Sequence, residues 1–156
     1  MFKWIAVALI ILGMVWIGSF RSRWPEPSKG MICNTLPKFI DYLESKNDSR
    51  LTNIDLDSNK MAKEEMEAEL LAATGSAVNV AGKYILVTHQ CGLGCQKHAI
   101  LNTEGKIIFY GLQTSKDLDF RADSRLVMTN VTGTNKSLYY EFKENRLNYL
   151  CEVEKK

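Results

Sequence analysis

The sequence predicts an α+β domain, mainly β: an antiparallel meander of about six strands with one or two N-terminal helices, preceded by a single membrane-spanning helix. Three observations predict it. Residues 4–20 form an uncharged apolar run, two stretches between positions 34 and 74 carry helix signals, and from Lys83 onward apolar residues recur with the period of strands between short turn-forming segments. A chain of 156 residues supports one modest core beside such a run and is too short for two. The expected division is a signal-anchor or signal peptide over 1–23, a linker over 24–32 and a disulfide-bearing α+β domain over 33–156.

Trp4 to Phe20 reads WIAVALIILGMVWIGSF, with Lys3 before it and Arg21 and Arg23 after it. As a helix this run would span about 26 Å, within the range tolerated by a hydrocarbon core of ~30 Å. A signal peptide has a shorter apolar region and a small-x-small cleavage site; Ile17-Gly18-Ser19 is a poor match, so an uncleaved anchor is favoured over a cleaved peptide. Basic residues flank the run on both sides, so the positive-inside rule does not orient it. The cysteines decide the orientation. Four of them in a small domain, without convincing metal spacing, place the N-terminus in the cytoplasm and the domain in an oxidising compartment.

Pro25, Pro27, Ser28 and Gly30 make the following stretch a short tether. Asn34 or Thr35 can then cap a first helix in which Pro37 is tolerated early and Leu36, Phe39, Ile40 and Leu43 recur at helical spacing. After a polar loop, MAKEEMEAELLAAT is built from strong helix formers and stops before Gly75, which predicts a second helix. The strand-like segments are KYILVTH, KHAILN, KIIFYGL, RLVMTN, SLYYEF and RLNYLCEV, and connections this short between neighbours require antiparallel pairing. In the last segment Leu147, Tyr149, Cys151 and Val153 share one face while Asn148, Glu152 and Glu154 lie on the other, so Cys151 is expected to point inward.

Four cysteines allow three connectivities. Cys91 and Cys95 flank Gly92-Leu93-Gly94 between two strands, and a tight hairpin would bring their Cα atoms near the ~5.5 Å a disulfide needs. Pairing Cys91 with Cys95 is favoured, which leaves Cys33 to join Cys151. Two readings compete. His89, Cys91, Cys95 and His98 lie within ten residues and could be zinc ligands, but in a regular hairpin Cys95 and His98 point to opposite faces. Alternatively, Cys91 and Cys95 could be a redox pair beside His89, although the spacing and the context are not those of thioredoxin-like motifs. No cofactor is implied, and no catalytic residue is assigned.

Past residue 23 the chain carries 17 basic against 18 acidic residues, without the basic surplus of a nucleic-acid binder. Asn53, Asp55, Asp57 and Glu64 match part of a calcium-loop template, yet Ser58 stands where the glycine belongs, and a solvated loop explains them better. The sheet is rich in aromatic residues. If the helices leave Phe109, Tyr110, Tyr139 and Tyr140 uncovered, they are the candidates for a partner-binding patch.

The segment from Asn79 to Thr88, with Ala81-Gly82 and Tyr84, followed by Cys91-Gly92-Leu93-Gly94-Cys95-Gln96, resembles a group of small exported bacterial proteins of uncharacterised function that share an N-x-A-G-x-Y strand leading into C-G-x-G-C-Q. Gly105-Lys106-Ile107, Asp123-Ser124-Arg125-Leu126 and Tyr139-Tyr140 are also similar to that group. Where the group has Trp-Gly before the first cysteine this chain has His89-Gln90, which argues against a shared zinc site. The resemblance implies export and a β domain and supplies no catalytic residues. The expected address is therefore the bacterial inner membrane, single-pass through residues 4–20, with the C-terminal domain in the periplasm. The expected function is a membrane-tethered, non-enzymatic binding module that engages another envelope protein. An inhibitor or immunity protein against a toxin or wall hydrolase, and a thiol redox protein using Cys91 and Cys95, are the alternatives.

Overall fold

The computed structural model describes residues 30–130 and 135–154. They form one α-helix, α1 (Lys60–Ala72), and seven strands: β1 (Tyr84–Gly92), β2 (Cys95–Asn102), β3 (Ile107–Thr114), β4 (Lys116–Phe120), β5 (Leu126–Asn130), β6 (Lys136–Lys143) and β7 (Arg146–Glu154). All pairings between these strands are antiparallel, but the expected single meander of about six strands is instead two sheets, β1-β2-β3 and β4-β5-β6-β7. The extra strand is β4, whose sequence KDLDF has too many acids to read as a strand. Its alternate residues Leu118 and Phe120 supply the missing apolar face by packing into the core.

Helix α1 begins where Asn59 caps it, its side chain accepting from Ala62 N–H at 3.0 Å, and the chain turns away at Gly75 with φ +85°. The helix is kinked at Met66 (φ −145°, ψ 32°). Ala62, Met66 and Leu70 bury its apolar side against Ile85, Val87, Ala99 and Leu101 of the three-stranded sheet. The other face of that sheet contributes Leu86 and Ile100 to a second cluster, shared with Val127 and Phe142 of the four-stranded sheet. The domain thus has three layers: helix, three-stranded sheet, four-stranded sheet.

The first expected helix is absent. Only Phe39–Tyr42 makes a 3-10 turn, and Leu36, Ile40 and Leu43, which would have been its apolar face, are exposed. The backbone here is committed elsewhere: Tyr42 O accepts from Arg125 N–H at 2.9 Å, Glu44 N–H donates to Asp123 O at 2.9 Å, and Leu43 forms a bridge with Ser124. A helix would need those same groups for its own ladder. Side chains fasten the same join. Buried Ser124 donates from Oγ to the carbonyls of Phe39 and Tyr42, while Arg125 pairs with Glu44 at 2.6 Å and Glu141 at 2.9 Å.

The expected membrane-spanning segment, residues 4–20, lies outside the described residues. Among the described residues no helix is long and apolar enough to cross a membrane. The described residues begin at Gly30. Met31 O accepts from Glu152 N–H at 2.8 Å, Cys33 N–H donates to Glu152 O at 3.0 Å, and Cys33 is bonded to Cys151. The alternation expected along β7 is interrupted: Tyr140 lies opposite Tyr149, but Tyr139 lies opposite Cys151, so Leu150 is an extra residue in the ladder. Cys151 is buried, on the far side of that bulge from the alternation that predicted it.

Candidate functional site

The β1–β2 hairpin carries most of the residues singled out by the sequence. Its ladder runs from Tyr84↔Asn102 to Gln90↔Gln96, then slips at Cys91, so that Gly92 pairs with Cys95. Cys91 is the inserted residue of a bulge. Cys91 and Cys95 are bonded, with Cα atoms 5.1 Å apart. Gly92 (φ +139°) and Gly94 (φ +64°) supply backbone angles that side chains resist. Between them Leu93 is fully exposed, at 107%. The Gln90 side chain holds the turn from beneath, donating from Nε2 to Gly92 O at 2.5 Å and Cys95 O at 2.9 Å.

Behind the tip, on the face covered by α1, lies a row of polar groups. His89 Nδ1 is 2.8 Å from Glu69 Oε1, and Lys97 pairs with Glu65. The contact with His89 holds the Glu69 carboxyl below the ordinary range, and Lys97 does the same for Glu65. Tyr110 completes the row. Its buried hydroxyl makes no hydrogen bond of good geometry, and burial, with Glu65 beside it, pushes its pKa up to about 12. The spacing of Glu65 and Glu69 along one helical face was a visible signal for this row, but its sheet partners His89 and Lys97 could not be found without the register.

The four residues of the zinc alternative do not converge. Both cysteines are in a disulfide, His89 turns to Glu69, and His98 lies on the opposite face of β2, with Nδ1 2.9 Å from Thr88 Oγ1 and Nε2 2.8 Å from Thr114 Oγ1. Burial lowers the His98 pKa to about 4, so the ring is neutral in the folded domain at neutral pH. Among the described residues no cluster of three or more His, Cys, Asp or Glu could hold a metal ion. All four cysteines are in disulfides. Such bonds fit a non-reducing compartment.

The aromatic candidates are not gathered into one patch. Tyr110 is buried in the cluster under α1, Phe109 stacks edge-on against Phe142 at 6.4 Å, and Tyr140 meets Tyr149 at 5.7 Å. Tyr139, half-buried, lies opposite Cys151, whereas Tyr140 lies opposite Tyr149. The exposed apolar surface lies elsewhere. Of the eight large hydrophobic residues exposed among the described residues, Met31, Ile32, Leu36, Ile40 and Leu43 fall within thirteen positions at the start of the domain.

The stretches Asn79–Tyr84 and Asp123–Leu126 both act structurally. Asn79 Oδ1 accepts from Leu86 N–H at 2.7 Å while its Nδ2 donates to Leu86 O at 3.1 Å, so this side chain stands in for a neighbouring strand. Ala81 and Gly82 adopt positive φ, and a Cβ on Gly82 would sit 2.6 Å from the Ser45 carbonyl. Asp123, Ser124 and Arg125 hold the N-terminal segment through the backbone bonds and side chains at Tyr42 and Glu44. The Cys-Gly-Leu-Gly-Cys stretch, by contrast, projects: a Cβ at Gly92 would meet nothing within 4 Å. Compared with protein-family profiles, curated proteins and solved structures, the chain finds no match.

Proposed function

We propose that this chain is a non-enzymatic binding module of the bacterial envelope, with its disulfide-bonded domain on the periplasmic side of the inner membrane, where it engages another envelope protein. The observation that carries this reading is the run of exposed apolar side chains from Met31 to Leu43. Ile32 and Ile40 are 73% and 69% exposed, and water-facing apolar residues concentrated in one short segment are a feature of surfaces that become covered by a partner. The segment is pinned at both ends, by backbone bonds to Glu152 and the Cys33–Cys151 bond at one and by backbone bonds to Asp123 and Arg125 at the other, so little further ordering is needed on binding. Its position at the junction of linker and domain supports a partner at the membrane surface. The disulfides support the compartment, and the apolar run 4–20 supports export.

A photo-crosslinking residue placed at Ile40 in the full chain, expressed in its native cells, tests the reading. One discrete adduct in the envelope fraction is expected, with a mass other than twice the chain. It should be missing when the probe replaces exposed Lys143, and lost when Ile32, Leu36 and Leu43 are changed to serine. A diffuse smear at Ile40, or the same adduct from Lys143, overturns the proposal. Intact mass before and after reduction, on the same sample, reports the state of the N-terminal run and both disulfides. Free thiols at Cys33 and Cys151 in that sample would remove the periplasmic assignment.

A further inference from the structure

We propose that the Cys91–Cys95 disulfide is a reversible thiol–disulfide exchange site, opened and reclosed by small-molecule thiols of the glutathione class while the Cys33–Cys151 bond and the fold stay intact. Such exchange goes beyond partner binding and does not depend on it.

The two disulfides differ in access. Cys91 and Cys95 are partly exposed at a hairpin tip whose neighbours Gly92 and Leu93 face open solvent, so an incoming thiolate can approach a sulfur. In the long-range bond Cys33 is half-buried, but Cys151 is only 7% exposed, so one of its two sulfurs is shielded from attack. Exchange requires such an approach, and access is one of the terms that sets its rate.

They differ also in what their opening releases. Cys33 and Cys151 are separated by 118 positions, so their bond constrains nearly the whole domain, whereas Cys91 and Cys95 are separated by 4. Opening the short one leaves the β1–β2 ladder in place as far as Gln90↔Gln96. Gln90 also continues to bind the carbonyls of Gly92 and Cys95, contacts that do not involve sulfur. The two thiols therefore stay neighbours after reduction, and reclosure is intramolecular.

In the first step a thiolate RS⁻ attacks one sulfur of the pair, forming a mixed disulfide, and the other cysteine leaves as a thiolate. A second RS⁻ attacks the mixed disulfide at the sulfur of R, releasing RSSR and the second protein thiolate, and both protein thiolates take protons from water. Two thiols are oxidised and one disulfide is reduced, and RSSR drives the reverse. In the oxidised state the covalent ring holds Leu93 out into solvent.

The full chain is incubated in graded ratios of reduced to oxidised glutathione, quenched with N-ethylmaleimide and mapped by peptide mass, with near-ultraviolet circular dichroism followed in parallel. Cys91 and Cys95 are expected to become labelled together, at least about tenfold faster than Cys33 and Cys151. The near-ultraviolet signal should remain, and the same pair should re-form when oxidised glutathione is restored. Opening of Cys33–Cys151 first or at an equal rate overturns the proposal, as does loss of the dichroism signal as Cys91–Cys95 opens. A C91S/C95S variant is expected to keep the wild-type dichroism and lose the fast-labelling phase. Failure of that variant to fold would make the bond a structural staple and overturn the proposal equally.

Discussion

Protonating His98 would put a charge on a side chain 1% exposed, with only the hydroxyls of Thr88 and Thr114 to meet it. In the unfolded chain the ring takes its proton near the ordinary value of 6.5, but in the fold only near 4. The unfolded state therefore binds more protons between those values. Stability from this residue is complete above pH 6.5, falls as pH drops towards 4, and levels below it, with a total loss of roughly 3 kcal/mol. Urea unfolding at pH 7 and pH 4, in the wild type and in His98→Gln, should show a shallower pH dependence in the variant; an unchanged slope would assign the acid loss to other groups. Asn79 makes a second prediction. Asn79→Ala strips both backbone groups of Leu86, which is 6% exposed, of their side-chain partner, at an expected cost of about 1–3 kcal/mol in chemical unfolding. Loss below about 0.5 kcal/mol would mean that water replaces the amide there.

Among the elements, α1 illustrates what local sequence can specify. Its residues are strong helix formers and Gly75 is a good stop, so the prediction over 61–74 and the observed Lys60–Ala72, capped by Asn59, nearly coincide. Asn59→Ala should cost about 1 kcal/mol, seen as a lower Tm with unchanged hairpin disulfide. The segment 34–43 shows the opposite. Its helical spacing is real, but Asp123, Ser124 and Arg125, some eighty residues away, take its backbone groups, and no local pattern announces that competition. The strands β1 to β3 and β5 to β7 were legible because short apolar and aromatic segments stand between turn-forming residues. Strand β4 was not, because its apolar residues are only Leu118 and Phe120 among charges. Division into two sheets was equally hidden, since period-two alternation says which face is buried and not which strands share a ladder. At the candidate site, the tip of the hairpin could be read from Cys91 to Cys95. The dispersal of the aromatic candidates could not, because neighbouring Phe109 and Tyr110 go to opposite faces of one strand and into different clusters.

Across the whole molecule the two covalent links are unequal. On the loop-entropy account, a link across 118 positions contributes about 5 kcal/mol and one across 4 about 2 kcal/mol. Replacing Cys33 and Cys151 with serine should therefore lower the unfolding free energy by more than twice as much as replacing Cys91 and Cys95, measured by denaturant unfolding of each pair variant. Similar losses for the two variants would show that strain or residual structure outweighs chain entropy. The join between Cys33 and β7 also has a mechanical meaning. A pull applied at Gly30 and at the end of β7 enters through Cys33, crosses one sulfur–sulfur bond and leaves through Cys151, bypassing every residue between them. The core carries no load along that path. In a force-extension experiment the oxidised domain should lengthen hardly at all, whereas after reduction of this bond the intervening 118 positions become available as a slack of roughly 400 Å. Traction on the segment that leads into the domain is thus borne by a chemical bond, and the folded layers hang from it without bearing tension.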